Sequence, residues 1–208
     1  MTGCALVSTS GSLLRHHYGP AIDAHDVVVR TGTAPLRGFE RHVGNRTDFR
    51  VMSPWHINLR QLSRVLRSET IVYTKAVGHD CAVVHRKLHR PDFPDLKYTC
   101  FDSRHDHNCS LMSSSRDTST GLEAFSFAFL RLPCASLTLY GFTTREALDM
   151  PYHYYTDGSA RDNKTGRVWY KSRSDSRWGH DFIKEHEALY ALSTNWNISR
   201  SSFHGKCP

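Results

Sequence analysis

Three stretches of this 208-residue chain carry turns and side chains suited to handling an anion or a proton. The first, Ser8-Thr9-Ser10-Gly11-Ser12, ends the apolar run Cys4 to Val7 and precedes Leu13, Leu14 and Tyr18, which can face inward from a short helix. A strand, a tight turn of small residues and a helix put backbone N–H groups where a phosphate can sit, although the G-x-G-x-x-G spacing is absent and such turns are common. The second is Ser119-Thr120-Gly121, where Thr120 and Glu123 have the spacing of a capping box. A helix is expected to start there, its positively polarised end suited to an anion, and an ordinary cap would look the same. The third is His180, at the head of the last helical pattern, His180 to Leu192. The helix dipole pushes such an imidazole towards its neutral form, which accepts a proton. A capping or buried hydrogen-bonded role is the alternative for any one of fourteen histidines.

A fourth cluster suggests metal ligation, since His79, Cys81, His85, His89, Cys100, His105, His107 and Cys109 crowd one segment. Their spacings match no standard zinc pattern, so no metal site is assigned.

The elements that must position these groups read as an α/β fold. Val27 to Val29 is a second apolar run, ended by Arg30 and Thr31-Gly32, and completes a β-α-β unit of the kind that builds a parallel sheet. From Phe49 to Val77 core elements are expected, with Ile57 to Leu66 at helical spacing and Thr70 to Thr74 as a strand. Between Gly78 and Ser115, Pro91, Pro94 and Ser113-Ser114-Ser115 break the pattern, and this stretch reads as mostly loop with short elements. Ala124 to Leu132 is almost wholly apolar and should be a buried helix, followed by a buried strand at Leu137 to Tyr140 that ends at Gly141. In the last helix Phe182, Ile183, His186, Leu189 and Tyr190 are expected on the inner side.

Composition narrows the partners. The length fits one domain over residues 1–208, and 39% hydrophobic with 23% charged residues is ordinary for a globular chain. A formal charge of +7 favours anionic partners. Lys and Arg are scattered from Arg15 to Lys206 without a basic run or spaced RNP-type aromatics, which argues against nucleic acid. No stretch is apolar for long enough to span a bilayer, and the first residues lack a signal-peptide pattern, so no membrane contact by this chain itself is expected. Four of six Asn lie in Asn-X-Ser/Thr triplets, at Asn45, Asn108, Asn163 and Asn197, and the six Cys are an even set; both hint at a secretory lumen.

Longer motifs carry a resemblance. Cys4-Ala5-Leu6-Val7-Ser8-Thr9-Ser10-Gly11-Ser12-Leu13 is followed by Tyr18-Gly19, Ile22-Asp23-Ala24-His25-Asp26, Val29-Arg30, Ala34-Pro35, Gly38-Phe39-Glu40 and Val43-Gly44. This resembles the large sialylmotif of the eukaryotic sialyltransferases, glycosyltransferase family 29. Ser119-Thr120-Gly121-Leu122 through Cys134 to Leu139-Tyr140-Gly141-Phe142 is similar to the small sialylmotif. His153-Tyr154-Tyr155-Thr156-Asp157 and the pair His180, Glu185 match the third and the very small motifs in the same order.

The resemblance implies a modified Rossmann-like fold, a GT-A-like variant with a mainly parallel sheet flanked by helices. It implies an inverting, metal-independent transferase that takes sialic acid from CMP-sialic acid to an acceptor glycan on a glycoprotein or glycolipid, with no cofactor. His180 would be the general base and His153 would meet the donor phosphate. Thr9, Ser10, Gly11, Ser12, Gly32, Ser119, Thr120 and Gly121 would bind donor, and Glu185 would have a supporting role. Tyr154 and Tyr155 would pack, and Asp157 would anchor a loop. Cys4 and Cys134 match the family's bridge between its large and small motifs; Cys81, Cys100, Cys109 and Cys207 allow three pairings. The chain starts almost at the large motif, whereas the family carries a tail, a membrane anchor and a stem before it. It is expected either to be a divergent soluble form or to lie in the Golgi lumen as part of a longer type II membrane protein. Thr9, Ser12 and Gly32 stand where the family usually carries Asn. Two alternatives follow: a transferase using CMP-Kdo or another CMP-ulosonate, or a non-catalytic nucleotide- or glycan-binding homologue.

Overall fold

A computed structural model describes residues 2–53, 69–74, 81, 82, 86, 97–101, 118–142, 149–156, 185 and 188–190. Six strands form one wholly parallel sheet: β1 (Gly3–Val7), β2 (Val27–Thr31), β3 (Phe49–Met52), β4 (Thr70–Thr74), β5 (Lys97–Phe101) and β6 (Ser136–Tyr140), in the spatial order β5-β4-β3-β2-β1-β6. The continuous apolar runs at Cys4 to Val7 and Val27 to Val29 follow from burial on both faces, the normal condition of a parallel sheet. Alternation then sorts them. Cys4, Leu6, Val29, Val51 and Val72 face one core, and Ala5, Val7 and Val28 face another.

The first core is closed by helix α3 (Thr120–Arg131). Leu122, Ala124, Phe125, Phe127, Ala128 and Phe129 of this helix are all buried, and Phe127 meets the rings of Phe49 and Phe101 edge-on or tilted at 5.4 and 5.6 Å. A helix apolar on nearly every side must be enclosed, as its sequence anticipated. The second core is covered by a 3-10 turn (Gly11–Arg15), helix α1 (Gly19–Asp23) and helix α2 (Glu40–Val43), which supply Leu13, Ile22 and Val43. The single short helix expected after β1 is thus two pieces: Tyr18 precedes Pro20 at the start of α1, and proline is readily placed in a first turn.

The stretch from Gly78 to Ser115, expected as mostly loop with short elements, contains the short strand β5, whose side chains are exposed or half-buried apart from Phe101. Two further expectations need correcting. The strand expected to be buried, β6, lies at the sheet edge and is only half-buried. Tyr190, expected to face inward, is 73% exposed, whereas Leu189 is buried as expected. The helical pattern at Ile57 to Leu66 lies outside the described residues.

Cys4 is bonded to Cys134, with Cα atoms 5.7 Å apart, so β1 is stapled to the link between α3 and β6. Cys81 is bonded to Cys100 of β5, one of the pairings the sequence left open. The Cys4–Cys134 bridge spans 130 residues. Loops of that order lose the most chain entropy when closed, so the Cys4→Ser/Cys134→Ser variant is expected to be less stable by roughly 3–5 kcal/mol in denaturant titration. No helix among the described residues is long and apolar enough to cross a membrane. Of the four glycosylation triplets, the one at Asn45 is described, and Asn45 is exposed.

Candidate functional site

The chain runs outward from β1 through β2, β3, β4 and β5 and returns to place β6 on the other side of β1. In an open parallel sheet such a reversal leaves the loops at the carboxyl ends of β1 and β6 as the natural place for a ligand. Helix α3 leads into β6 and runs antiparallel to the strands, so its N-terminus comes to this same edge. A side chain at Gly121 would lie 3.3 Å from the Phe142 ring just after β6, which shows how closely the two meet.

The turn after β1 is held rather than left open. Ser10 N–H donates to Gly141 O at 3.1 Å, Gly11 N–H to Pro151 O at 3.0 Å, and Ser12 N–H to the Ser10 hydroxyl at 3.2 Å. The backbone cradle for phosphate expected from this turn is therefore corrected: three of its amides are spent on the protein itself. Gly11 is required because a Cβ there would sit 2.3 Å from Pro151 O. Thr9 and Ser12 are half-buried and Ser10 is buried.

The segment 149–156 lies across that turn. Tyr154 N–H donates to Thr9 O at 3.0 Å, and the Tyr154 hydroxyl donates to Pro35 O at 2.8 Å, in the loop after β2. Tyr154 packs in the second core as expected, and it also joins the loops after β1 and β2. Its neighbour His153 is half-buried, stacked on Tyr155 with ring centres 5.0 Å apart and tilted against Tyr152 at 4.5 Å. These contacts fix the plane of the imidazole at the carboxyl edge. Asp157 and His180 lie outside the described residues.

At the N-terminus of α3 the cap is Ser119, not Thr120. Its hydroxyl accepts from Leu122 N–H at 3.2 Å and donates to Glu185 Oε2 at 2.5 Å, while its own N–H donates to Glu185 Oε1 at 2.9 Å. The Thr120–Glu123 capping box is thus corrected by one residue, and Glu123 instead accepts from the Thr118 hydroxyl. Glu185 is 2% exposed. A buried carboxylate at a helix N-terminus is stabilised by the amide it accepts from and by the dipole. Thr120 and Gly121 follow this cap beside Phe142.

Gly32 follows β2 with φ of +65°, and among the described residues a Cβ there would meet nothing within 4 Å. It lies beside the loop that Tyr154 holds. Below it, Arg30, Arg50 and Glu69 form a buried charged group that sequence reading missed. The signal was present: an arginine inside each of the apolar strands Val27-Val28-Val29-Arg30 and Phe49-Arg50-Val51-Met52 demands a partner. Burial pushes the Arg30 guanidinium down to about 10, with Arg50 adding repulsion and Tyr154 opposing the shift.

Burial raises the phenols of Tyr154 and Tyr73 above the ordinary tyrosine range. A raised folded-state value means that their contribution to stability is complete below about pH 10 and is lost as pH climbs beyond it. Spectrophotometric titration of Tyr73→Phe and Tyr154→Phe is expected to show the loss of one late-ionising phenol each. Tyr73→Phe should cost no stability, because the buried Tyr73 hydroxyl has no hydrogen-bond partner among the described residues.

With this geometry in hand, comparison with known proteins is informative. Residues 1–98 match the family described as Glycosyltransferase family 29 (sialyltransferase). The chain is 25% identical over 175 residues to Sialyltransferase-like protein 2 of Arabidopsis thaliana, covering 81% of this chain and 36% of that protein. It is 36% identical over 94 residues to Beta-galactoside alpha-2,6-sialyltransferase 2 of Danio rerio, covering 43% of this chain and 18% of that one. The chain thus spans well under half the length of these curated relatives. The crystal structure of a mammalian sialyltransferase superposes with a TM-score of 0.66 at 23% identity, covering 93% of this chain and 66% of that one, and so shares the fold. Over its motif-bearing first half the chain is thus similar to glycosyltransferase family 29, the sialyltransferases, and it shares the fold of a mammalian sialyltransferase.

Proposed function

We propose that the chain carries the catalytic core of a sialyltransferase, which moves sialic acid from CMP-sialic acid to a hydroxyl of an acceptor glycan. The observation that carries this reading is the convergence at one sheet edge of the turn Thr9–Ser12, the His153 segment and the Ser119–Glu185 cap. In the reaction a bond forms between the acceptor oxygen and the anomeric carbon, and the bond from that carbon to the CMP phosphate breaks, leaving its electron pair on CMP. Attack from the opposite face inverts the centre, and the acceptor proton passes to His180. His153, held flat by Tyr155, would meet the departing phosphate as negative charge gathers on it. No metal is required in this scheme, in keeping with the family resemblance. Donor contacts from the β1 turn would come from Thr9 and the Ser12 side chain, since the amides of Ser10, Gly11 and Ser12 are engaged. Gly32, Thr120 and Gly121 complete the donor surface. As part of a longer type II membrane protein this core would work in the Golgi lumen on glycoprotein or glycolipid acceptors.

Titration calorimetry with CMP and CMP-sialic acid tests the donor site. The oxidised protein is expected to bind both, and His153→Ala to weaken CMP by roughly tenfold to a hundredfold through loss of one charge-assisted hydrogen bond. A folded protein that binds neither ligand overturns the transferase reading. The lack of a side chain at Gly32 and the engaged amides favour one second reading, a binding homologue without turnover. Binding without release of CMP from the donor would select it.

A further inference from the structure

Arg30 and Arg50 are opposite one another in the register of β2 and β3, and both are buried, at 3% and 2% exposure. Val29 and Val51 face α3, so by alternation both arginines lie on the other face of the sheet. Two guanidinium groups side by side repel, and Glu69, fully buried, is given wholly to one of them. Arg50 donates from Nε and Nη2 to the two Glu69 oxygens at 2.5 and 2.9 Å, a two-pronged pair that a lysine cannot make. Its remaining nitrogen, Nη1, donates to Gly32 O at 3.0 Å. Arg30 turns away, donating from Nε and Nη2 to Arg46 O at 2.9 and 2.7 Å and from Nε to the Thr47 hydroxyl at 2.9 Å.

A buried ion pair beside a second buried cation is a poor way to gain stability, because apolar side chains of like volume would do as well or better. Its use lies in what it holds. Gly32 has the left-handed φ that only glycine adopts freely, and among the described residues no atom stands within 4 Å of where its side chain would be. Its tethers both come from β3: Gly32 N–H to Val51 O at 2.8 Å and Gly32 O to Arg50. We propose that Arg50 and Glu69 are positioning residues, which set the direction of the chain at Gly32 and thereby the nucleotide side of the donor site. This rests on the reading above that Gly32 lines that site.

The test compares wild type, Arg50→Lys and Arg50→Met/Glu69→Leu by amide hydrogen exchange without ligand and by CMP titration. The double variant replaces the pair with apolar groups and is expected to melt close to wild type. Its residues 32–36 should exchange about tenfold faster through local opening, and its CMP affinity should fall about tenfold, with Arg50→Lys between. Unchanged exchange at residues 32–36 overturns the proposal, whatever CMP does. Faster exchange with unchanged CMP affinity overturns the link to the donor. If wild type fails to bind CMP, the transferase reading fails, while exchange still decides whether Arg50 and Glu69 hold the turn. Should the double variant not fold, Glu69→Gln, which keeps the shape and one acceptor oxygen, is read by the same two measurements.

Discussion

His180→Ala is expected to lower turnover by about two to four orders of magnitude, the usual contribution of a positioned general base, while CMP affinity stays within about twofold. The separation follows from the proposed roles, since the base touches the acceptor hydroxyl and His153 touches the phosphate. Position supports the assignment. Glu185, which follows His180 by five residues in the sequence, is anchored to Ser119 at the carboxyl edge of the sheet. The wild-type pH–rate profile should lose activity as pH falls through the imidazole range, because a protonated base cannot accept the acceptor proton. In His180→Ala this acidic limb should vanish from the residual rate. Turnover near the wild-type value in that variant would exclude His180 as the base.

The second large effect is expected at Glu185. Glu185→Ala removes a buried carboxylate that accepts from the N–H and hydroxyl of Ser119, leaving the half-buried Ser119 amide without its acceptor at the start of α3. The cost should be about 1–3 kcal/mol in denaturant titration. Activity should fall further than stability explains, because the anchor of Glu185 on the start of α3 is lost. That loss belongs in kcat, roughly tenfold to a hundredfold, with the donor KM little changed. Glu185→Gln keeps one oxygen to accept the Ser119 N–H and should recover part of both effects. A fall in donor affinity without a fall in kcat would instead make Glu185 part of the donor surface. These two substitutions and the His153→Ala titration separate the acceptor side of the site from the phosphate side.

Much of the fold was legible because its signals are local. The runs at Cys4 to Val7, Val27 to Val29 and Thr70 to Thr74 correspond to β1, β2 and β4, and the almost wholly apolar stretch from Ala124 corresponds to α3. Strands buried on both faces and a helix buried on nearly all sides must be apolar throughout, so composition alone reveals them. β5 was hidden because its side chains alternate between exposed and half-buried, and Lys97-Tyr98-Thr99-Cys100 carries little hydrophobic pattern. It is a strand because β4 offers it a partner, a fact that lies outside its own five residues.

The site divides in the same way. By itself the sequence determined which residue types stand at the sheet edge: the small-residue turn after β1, the Ser-Thr-Gly start of α3, His153 with its flanking tyrosines, and Glu185. The tertiary structure decided how their hydrogen-bonding groups are used. The amides of Ser10 and Gly11 looked available in the sequence, yet Gly141 and Pro151, more than 130 residues away, occupy them. The cap of α3 falls on Ser119 rather than Thr120, and Glu185, 66 residues on, accepts from both its N–H and its hydroxyl. Arg50 reaches Gly32 and Glu69 from a strand whose sequence announces only an unexplained charge. Propensity and periodicity act over a few neighbouring residues, whereas a hydrogen bond is claimed by whichever partner the packed chain delivers, and only the closed fold determines that partner.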